Sequence, residues 1–318
     1  MPLHRTTAQL VAILGIAAFC ATASSAAEQP TFTFQLEPGF RIDDVSWNIS
    51  DSDGDPNVLS EVSWNRLESP QVGLLAQVHD GKRTRIRGYV AYAEVTSGVN
   101  HDSDYLSNNR ADEFSRTDNR ADGDLYDIEI SVGVSYKLPD PKLKGSMQAT
   151  PLFGYAHYEQ QLTMRDGNQV VSNPPSAMPL GPFDGLNSSY DTQWNAFWFG
   201  AELHWQYTPR WGFEFTYQRF VNGKFNASAD WNLRADFQHP VSFIHTANGD
   251  GHSLRAGVTY VLNSRLFVTG RLVHNNFKAH TGTDTTFNAD NTTSSTNLNA
   301  VFWRATAVSI GIGTRLPF

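Results

Sequence analysis

Residues 125–138, LYDIEISVGVSYKL, alternate strictly between two kinds of side chain. Successive side chains of a strand point to opposite faces. Tyr126, Ile128, Ile130, Val132, Val134 and Tyr136 therefore share one face, and Asp127, Glu129, Ser131, Gly133 and Ser135 share the other. An apolar face with a tyrosine at each end, backed by an acidic face, does not suit a soluble sandwich, whose greasy side turns to the core. It suits a strand of a membrane barrel, with lipid outside, polar groups inside and aromatic rings at both interfaces. The last strand repeats the pattern. Val308, Ile310, Ile312, Leu316 and Phe318 lie on one face, and Trp303, Ala305, Ala307, Ser309, Gly311 and Gly313 on the other.

Ten such segments are expected, near 31–50, 59–79, 84–97, 122–138, 149–166, 188–207, 211–226, 252–263, 265–280 and 297–318. The connections between them alternate in length. Those at 80–83, 138–148, 208–210 and 262–264 are mostly tight. Those at 51–58, 98–121, 167–187, 227–251 and 281–296 form the long set. The fold class expected is therefore all-β, a ten-stranded antiparallel transmembrane β-barrel with long extracellular loops and short periplasmic turns. Phe318, an aromatic after the last strand, matches the C-terminal signal that bacterial barrels present for insertion.

The N-terminal residues supply an address. His4 and Arg5 precede the apolar run LVAILGIAAFC, and ATASSAA follows it. This is the order of a secretory signal peptide, and the run is shorter than the roughly 20 residues a spanning helix needs. Residues 1–27 are expected to be the signal peptide and 28–318 the barrel, placing the protein in the bacterial outer membrane with its loops facing the cell exterior. Cys20 is the only cysteine and leaves with the signal, so neither disulfides nor a thiolate site is expected in the remainder. Lys+Arg total 24 against 32 Asp+Glu, which argues against a nucleic-acid partner. Aromatics make up 12% of a chain whose mean hydropathy is −0.39, a mixture that fits a narrow apolar band surrounded by lipid.

Asp44-Val45-Ser46-Trp47-Asn48 is echoed by Glu61-Val62-Ser63-Trp64-Asn65, with DSDGDPN between. The two copies read as antiparallel neighbours flanking the first long loop, with both tryptophans expected at the outer lipid interface. Asp51, Asp53 and Asp55 alternate as in a calcium loop, but Pro56 and Val62 stand where an EF-hand has glycine and glutamate. No ligand spacing for a metal site is seen among His101, His239, His245 and His252. Asp127, Glu129, Glu202, His204, Glu214 and Arg255 are expected to face the lumen as a charge-paired plug. Arg304 is expected on the outward face near the outer interface, where it could pair with a lipid phosphate.

HDSDYL (101–106) and GYAHYEQQLTMRDG (154–167) carry a resemblance to the omptin family of outer-membrane proteases, which shares the strand count and size. The first patch is similar to the Asp-x-Asp that omptins carry in the second outer loop. The resemblance implies a water activated by carboxylates and a histidine, without a covalent intermediate, and cationic peptides as substrates. Asp102 and Asp104 match the carboxylate pair, and Asp230 matches the fourth-loop aspartate. Asn232 stands where the family has histidine, which leaves His239, or His245, as the substitute in the same loop. The candidate catalytic residues are thus Asp102, Asp104, Asp230 and His239. A solvated acidic loop accounts equally for the Asp-x-Asp. No cofactor is expected; lipopolysaccharide is the candidate activating lipid. A barrel that only binds a partner through its loops, and a narrow channel, are the alternative functions.

Overall fold

The computed structural model describes residues 29–138, 144–174, 176 and 178–318; the expected signal peptide and its cleavage point lie outside them. Long antiparallel strands build the wall. They are β1 (Thr31–Ile49), β2 (Ser60–His79), β3 (Thr84–Val95 and, past Thr96, Ser97–Ser107), β4 (Ala111–Val134) and β5 (Ser146–Ser172). They continue as β6 (Ser188–Gln206), β7 (Trp211–Asp230), β8 (Phe243–Val261), β9 (Leu266–Ala279 and Gly282–Phe287) and β10 (Thr293–Pro317). Each pairs with its chain neighbours, and β1 pairs with β10 from Thr31↔Pro317 to Ile49↔Leu298. The sheet is therefore closed, and among the described residues ten wall strands leave no free edge.

Local chemistry sets the tight turns. The Asp80 carboxylate accepts the backbone N–H groups of Lys82, Arg83 and Thr84 at 2.8, 2.8 and 2.9 Å, closing the β2–β3 turn. Asn263 does the same for Arg265 and Leu266 before β9. At the other end, two of the five segments expected as long loops, 98–121 and 281–296, are largely strand. The wall runs on to Ser107, turns through 108–110 and re-enters at Ala111, and β5 extends to Ser172. The expected loops at 98–121 and 281–296 are thus corrected to paired β extensions. Neighbouring strands run on beside them and take up their backbone groups, as Val62 and Ser60 do for Asp102 and Asp104, and Ile244 and Ser295 for Thr285.

Around the barrel, the outward face near the tight-turn end is apolar. Leu36, Phe40, Val132, Phe199, Phe215 and Ile310 are all exposed there, Ile310 at 69%. The interior has two layers. The lower one is ionic, as the alternation predicts. Arg41 forks onto Asp43 at 2.7 and 2.8 Å and reaches Asp127 at 3.0 Å, Arg87 donates to Glu202 at 2.6 Å, and Arg255 pairs with Glu129. Lining residues of this layer leave about 20 Å³ of free space between Glu37, Tyr89, Asp127, Arg255 and Arg271, room for a single water.

The upper layer is aromatic. Trp303 packs on Phe277 at 4.8 Å and on Tyr158 at 5.0 Å, while Trp194 lies 4.6 Å from Phe225. Gly154 makes room for Trp198, because a Cβ there would sit 2.4 Å from the indole. Two hydrogen bonds join the layers, Tyr158 Oη to Glu129 Oε1 at 2.8 Å and Trp303 Nε1 to Asp43 Oδ1 at 2.8 Å. The duplicated segments belong to this layer, which overturns their expected place. Trp47 and Trp64 are 3% and 0% exposed and point inward, with Val45 paired to Trp64 and Trp47 to Val62. Trp64 stacks on Tyr190 at 5.1 Å. Stacking and edge contacts among the rings, with the large apolar area they bury, hold both indoles inside.

Candidate functional site

The barrel mouth at the long-loop end is built on the aromatic layer. Asp102 and Asp104 lie on the second segment of β3, beside Val62 and Ser60 of β2. They share the inward face, and both are half-buried. Trp231, the first residue after β7, packs against Phe243 at 4.7 Å and Trp47 at 6.2 Å. Its Nε1 donates to Asp102 Oδ2 at 3.3 Å, linking opposite walls across the lumen. Arg234 follows in a turn closed by its N–H on the Trp231 carbonyl at 2.9 Å. Its guanidinium grips Asp236 at 2.9 and 2.7 Å and lies 4.2 Å from the centre of the Phe237 ring.

Burial pushes the Asp102 carboxyl up to about 7, and the neighbouring Asp104 charge adds to this; Trp231 and Arg234 pull the other way. Burial raises Asp104 too, against Ser60 and Arg234. Two carboxylates in one partly dry site resist losing both protons. The pair therefore holds a proton near neutral pH, where it can exchange it with a ligand or a water.

The remaining expected site residues lie apart from this pair. His239 Nδ1 is 2.6 Å from Asp230 Oδ1. By strand alternation, Asp230 falls on the face opposite Ala229 and Trp231, and His239 is engaged by it there. No hydrogen bond or ion pair joins Asp102 or Asp104 to His239 or His245. His245 is fully buried below Trp231. Its Nδ1 is 2.9 Å from Tyr190 Oη, and its Nε2 is 3.1 Å from Asp284 Oδ1, off the line of a hydrogen bond. Asn232 braces the β5–β6 connection: its Oδ1 accepts from Asn187 N at 2.9 Å and Ser188 Oγ at 3.1 Å, and its Nδ2 donates to Gly185 O at 2.8 Å. Sequence reasoning missed Trp231 and Arg234. The signal for Trp231 was there, since alternation through Ala227 and Ala229 directs the next odd residue inward.

A sequence profile of the Protochlamydia outer membrane protein family matches residues 35–316. The chain belongs to this family. No curated protein matches its sequence. Among solved structures, this member of the Protochlamydia outer membrane protein family is similar to the outer membrane protease OmpT from Escherichia coli. The TM-score is 0.72 at 11% identity, over 93% of this chain and 99% of that one. OprG from Pseudomonas aeruginosa matches at 10% identity and TM-score 0.35, over 92% and 98%. The translocator domain of NalP from Neisseria meningitidis matches at 10% and 0.35, over 89% and 88%. The family member is thus an outer-membrane β-barrel with an omptin-like fold. At 11% identity the likeness to OmpT is one of fold alone.

Proposed function

We propose that this protein is a closed outer-membrane barrel that captures cationic peptide segments at its mouth, with the long-loop end facing the cell exterior. The observation that carries this reading is the convergence of Asp102, Asp104 and Trp231. Two carboxylates beside an indole offer an ammonium or guanidinium group both ionic and aromatic partners. The loop's own Arg234 lies within reach of the field of both carboxylates, so the site already tolerates a guanidinium. The ion pairs that cross the lumen beneath, Arg41 with Asp127, Arg85 with Glu202 and Arg255 with Glu129, oppose a reading as an open channel. The engagement of His239 with Asp230 and the bracing role of Asn232 oppose the full omptin mechanism.

Hydrolysis by the carboxylate pair alone is the second reading, favoured by the raised Asp102 pKa. The ionised carboxylate of such a pair can take a proton from a water as it attacks a peptide carbonyl. The protonated one donates to the carbonyl oxygen, and the proton taken up passes to the leaving amine. Refolded barrel is mixed with fluorescent peptides carrying lysine and arginine, or neutral analogues, and both anisotropy and mass spectra are recorded. Binding of the basic peptides that weakens at least tenfold in Asp104→Asn, without new fragments, supports capture. Fragments that vanish in Asp102→Asn move the conclusion to hydrolysis. Equal affinity for neutral and basic peptides rejects the proposal.

A further inference from the structure

We propose that copies of this barrel associate side by side in the membrane, the acidic arc of one collar meeting the basic arc of the next. The outward residues just beyond the apolar band are sorted by charge around the wall. Across β3 to β6, strand register places Glu94 beside Asp124, Asp124 beside Gln161 and Gln161 beside Asp191. Across β7 to β10, it places Arg219 beside His252, His252 beside Asn276 and Asn276 beside Arg304. Both rows begin at the edge of the band. Glu94 and Asp124 stand two residues past the outward Tyr92 and Tyr126, and Arg219 and His252 two past Tyr217 and Leu254. Lys278 extends the basic arc beside Phe302, its ammonium 5.4 Å from that ring.

Each arc keeps a net charge, although Arg120 and Arg165 bind Asp122 beside the acidic one. Among the described residues, no ion pair engages Glu94, Asp124, Asp191, Lys278 or Arg304; Asp250, 3.4 Å from Arg219, and Asp44, beside Arg304 on β1, are the counter-charges at the basic arc. The two arcs meet at β6 and β7 and otherwise occupy different sides of the ten-strand cylinder, β4 facing β9. A contact between unlike patches is heterologous and propagates in one direction, giving rows of copies in place of a two-fold dimer. Anionic lipid would satisfy the basic arc and be repelled by the acidic one; a second copy satisfies both. Single exposed ion pairs contribute little, so the contact needs several, which two extended arcs supply. This inference concerns the outer wall and is independent of the mouth.

The test uses full-length barrel labelled for energy transfer in zwitterionic phosphatidylcholine vesicles. Transfer between copies is expected at low salt and should fall at least fivefold at 1 M salt, as exposed charge pairs are screened. Two charge-reversed forms follow, Glu94→Lys with Asp124→Lys, and Arg219→Glu with Arg304→Glu, each checked for the folded gel shift. Each form alone should lose transfer at least tenfold, and a mixture of the two should regain it, because one keeps a basic arc and the other an acidic arc. Monomeric wild type, transfer insensitive to salt, reversed forms that associate like wild type, or association that appears only with anionic lipid each overturn the proposal.

Discussion

The Trp231 indole N–H donates to the Asp102 carboxylate at 3.3 Å, although the two residues lie 129 positions apart in the chain. The contact spans the mouth, from the end of β7 to the upper part of β3. It holds one carboxylate of the pair at a fixed place while the floor of aromatic rings keeps the indole from turning.

Trp231→Phe keeps the packing and removes the donor. A hydrogen bond to a charged group contributes roughly 1.5–3 kcal/mol, so cationic-peptide affinity at pH 8 is expected to fall about tenfold or more. The Asp102 carboxyl should titrate at still higher pH. A pH series of binding isotherms on both proteins checks it, and an unchanged midpoint contradicts the role given to the indole.

The pH dependence has a definite sign. Asp102 has a folded-state pKa raised to about 7 by burial and by Asp104, above the usual carboxylate range. Below pH ~4 it is protonated whether folded or unfolded, and the pair imposes no penalty. As pH rises toward 7 the unfolded state loses its proton first, so the pair's ionisation costs the fold stability, fully so above 7. Asp102→Asn is expected to raise the unfolding midpoint at pH 8 and leave it nearly unchanged at pH 4. Denaturant titrations in detergent at both values measure the difference.

Breaking one partner of the lower ionic layer should cost more than removing both. Arg255 and Glu129 pair inside the barrel, nearly out of solvent. Arg255→Met leaves Glu129 charged and is expected to destabilise by about 3–5 kcal/mol. Adding Glu129→Leu should recover most of that loss. Urea midpoints of the single and double variants give the answer.

Trp303 and Phe302 are adjacent in sequence and opposite in environment, 0% and 42% exposed. Trp303→Ala is expected to cost about 3–5 kcal/mol through the cavity it opens, and Phe302→Ala far less. Near-equal losses in detergent would mean that the upper lumen is not packed as described.

Planar-bilayer recordings of the wild type are expected to show no discrete conductance steps, because Arg255 and Glu129 and their neighbours fill the lower lumen. Steps that appear only in a variant lacking this pair would locate the barrier in the ionic layer.

The sequence by itself determined the class of fold and the lower half of the barrel. A period of two, an apolar face and an acidic face in residues 125–138 leave a membrane barrel as the consistent solution, and the same alternation assigned Asp127, Glu129 and Arg255 to the lumen. Alternation defines two faces without saying which one is enclosed. Near the band, lipid made that choice; above it, only closure of the sheet turned Trp47 and Trp64 inward. The tertiary structure also decided the register. In β2 the pairing shifts between Asn65 and Glu68, with Arg66 at a φ of 51°, so Trp64 and Leu67 both point inward although three positions apart. One extra residue in a strand exchanges its faces, and no periodicity announces it. The meeting of Asp102 with Trp231, and the parting of Asp102 from His239, depend on such shifts and on the return of the chain across the mouth, which only the closed barrel fixes.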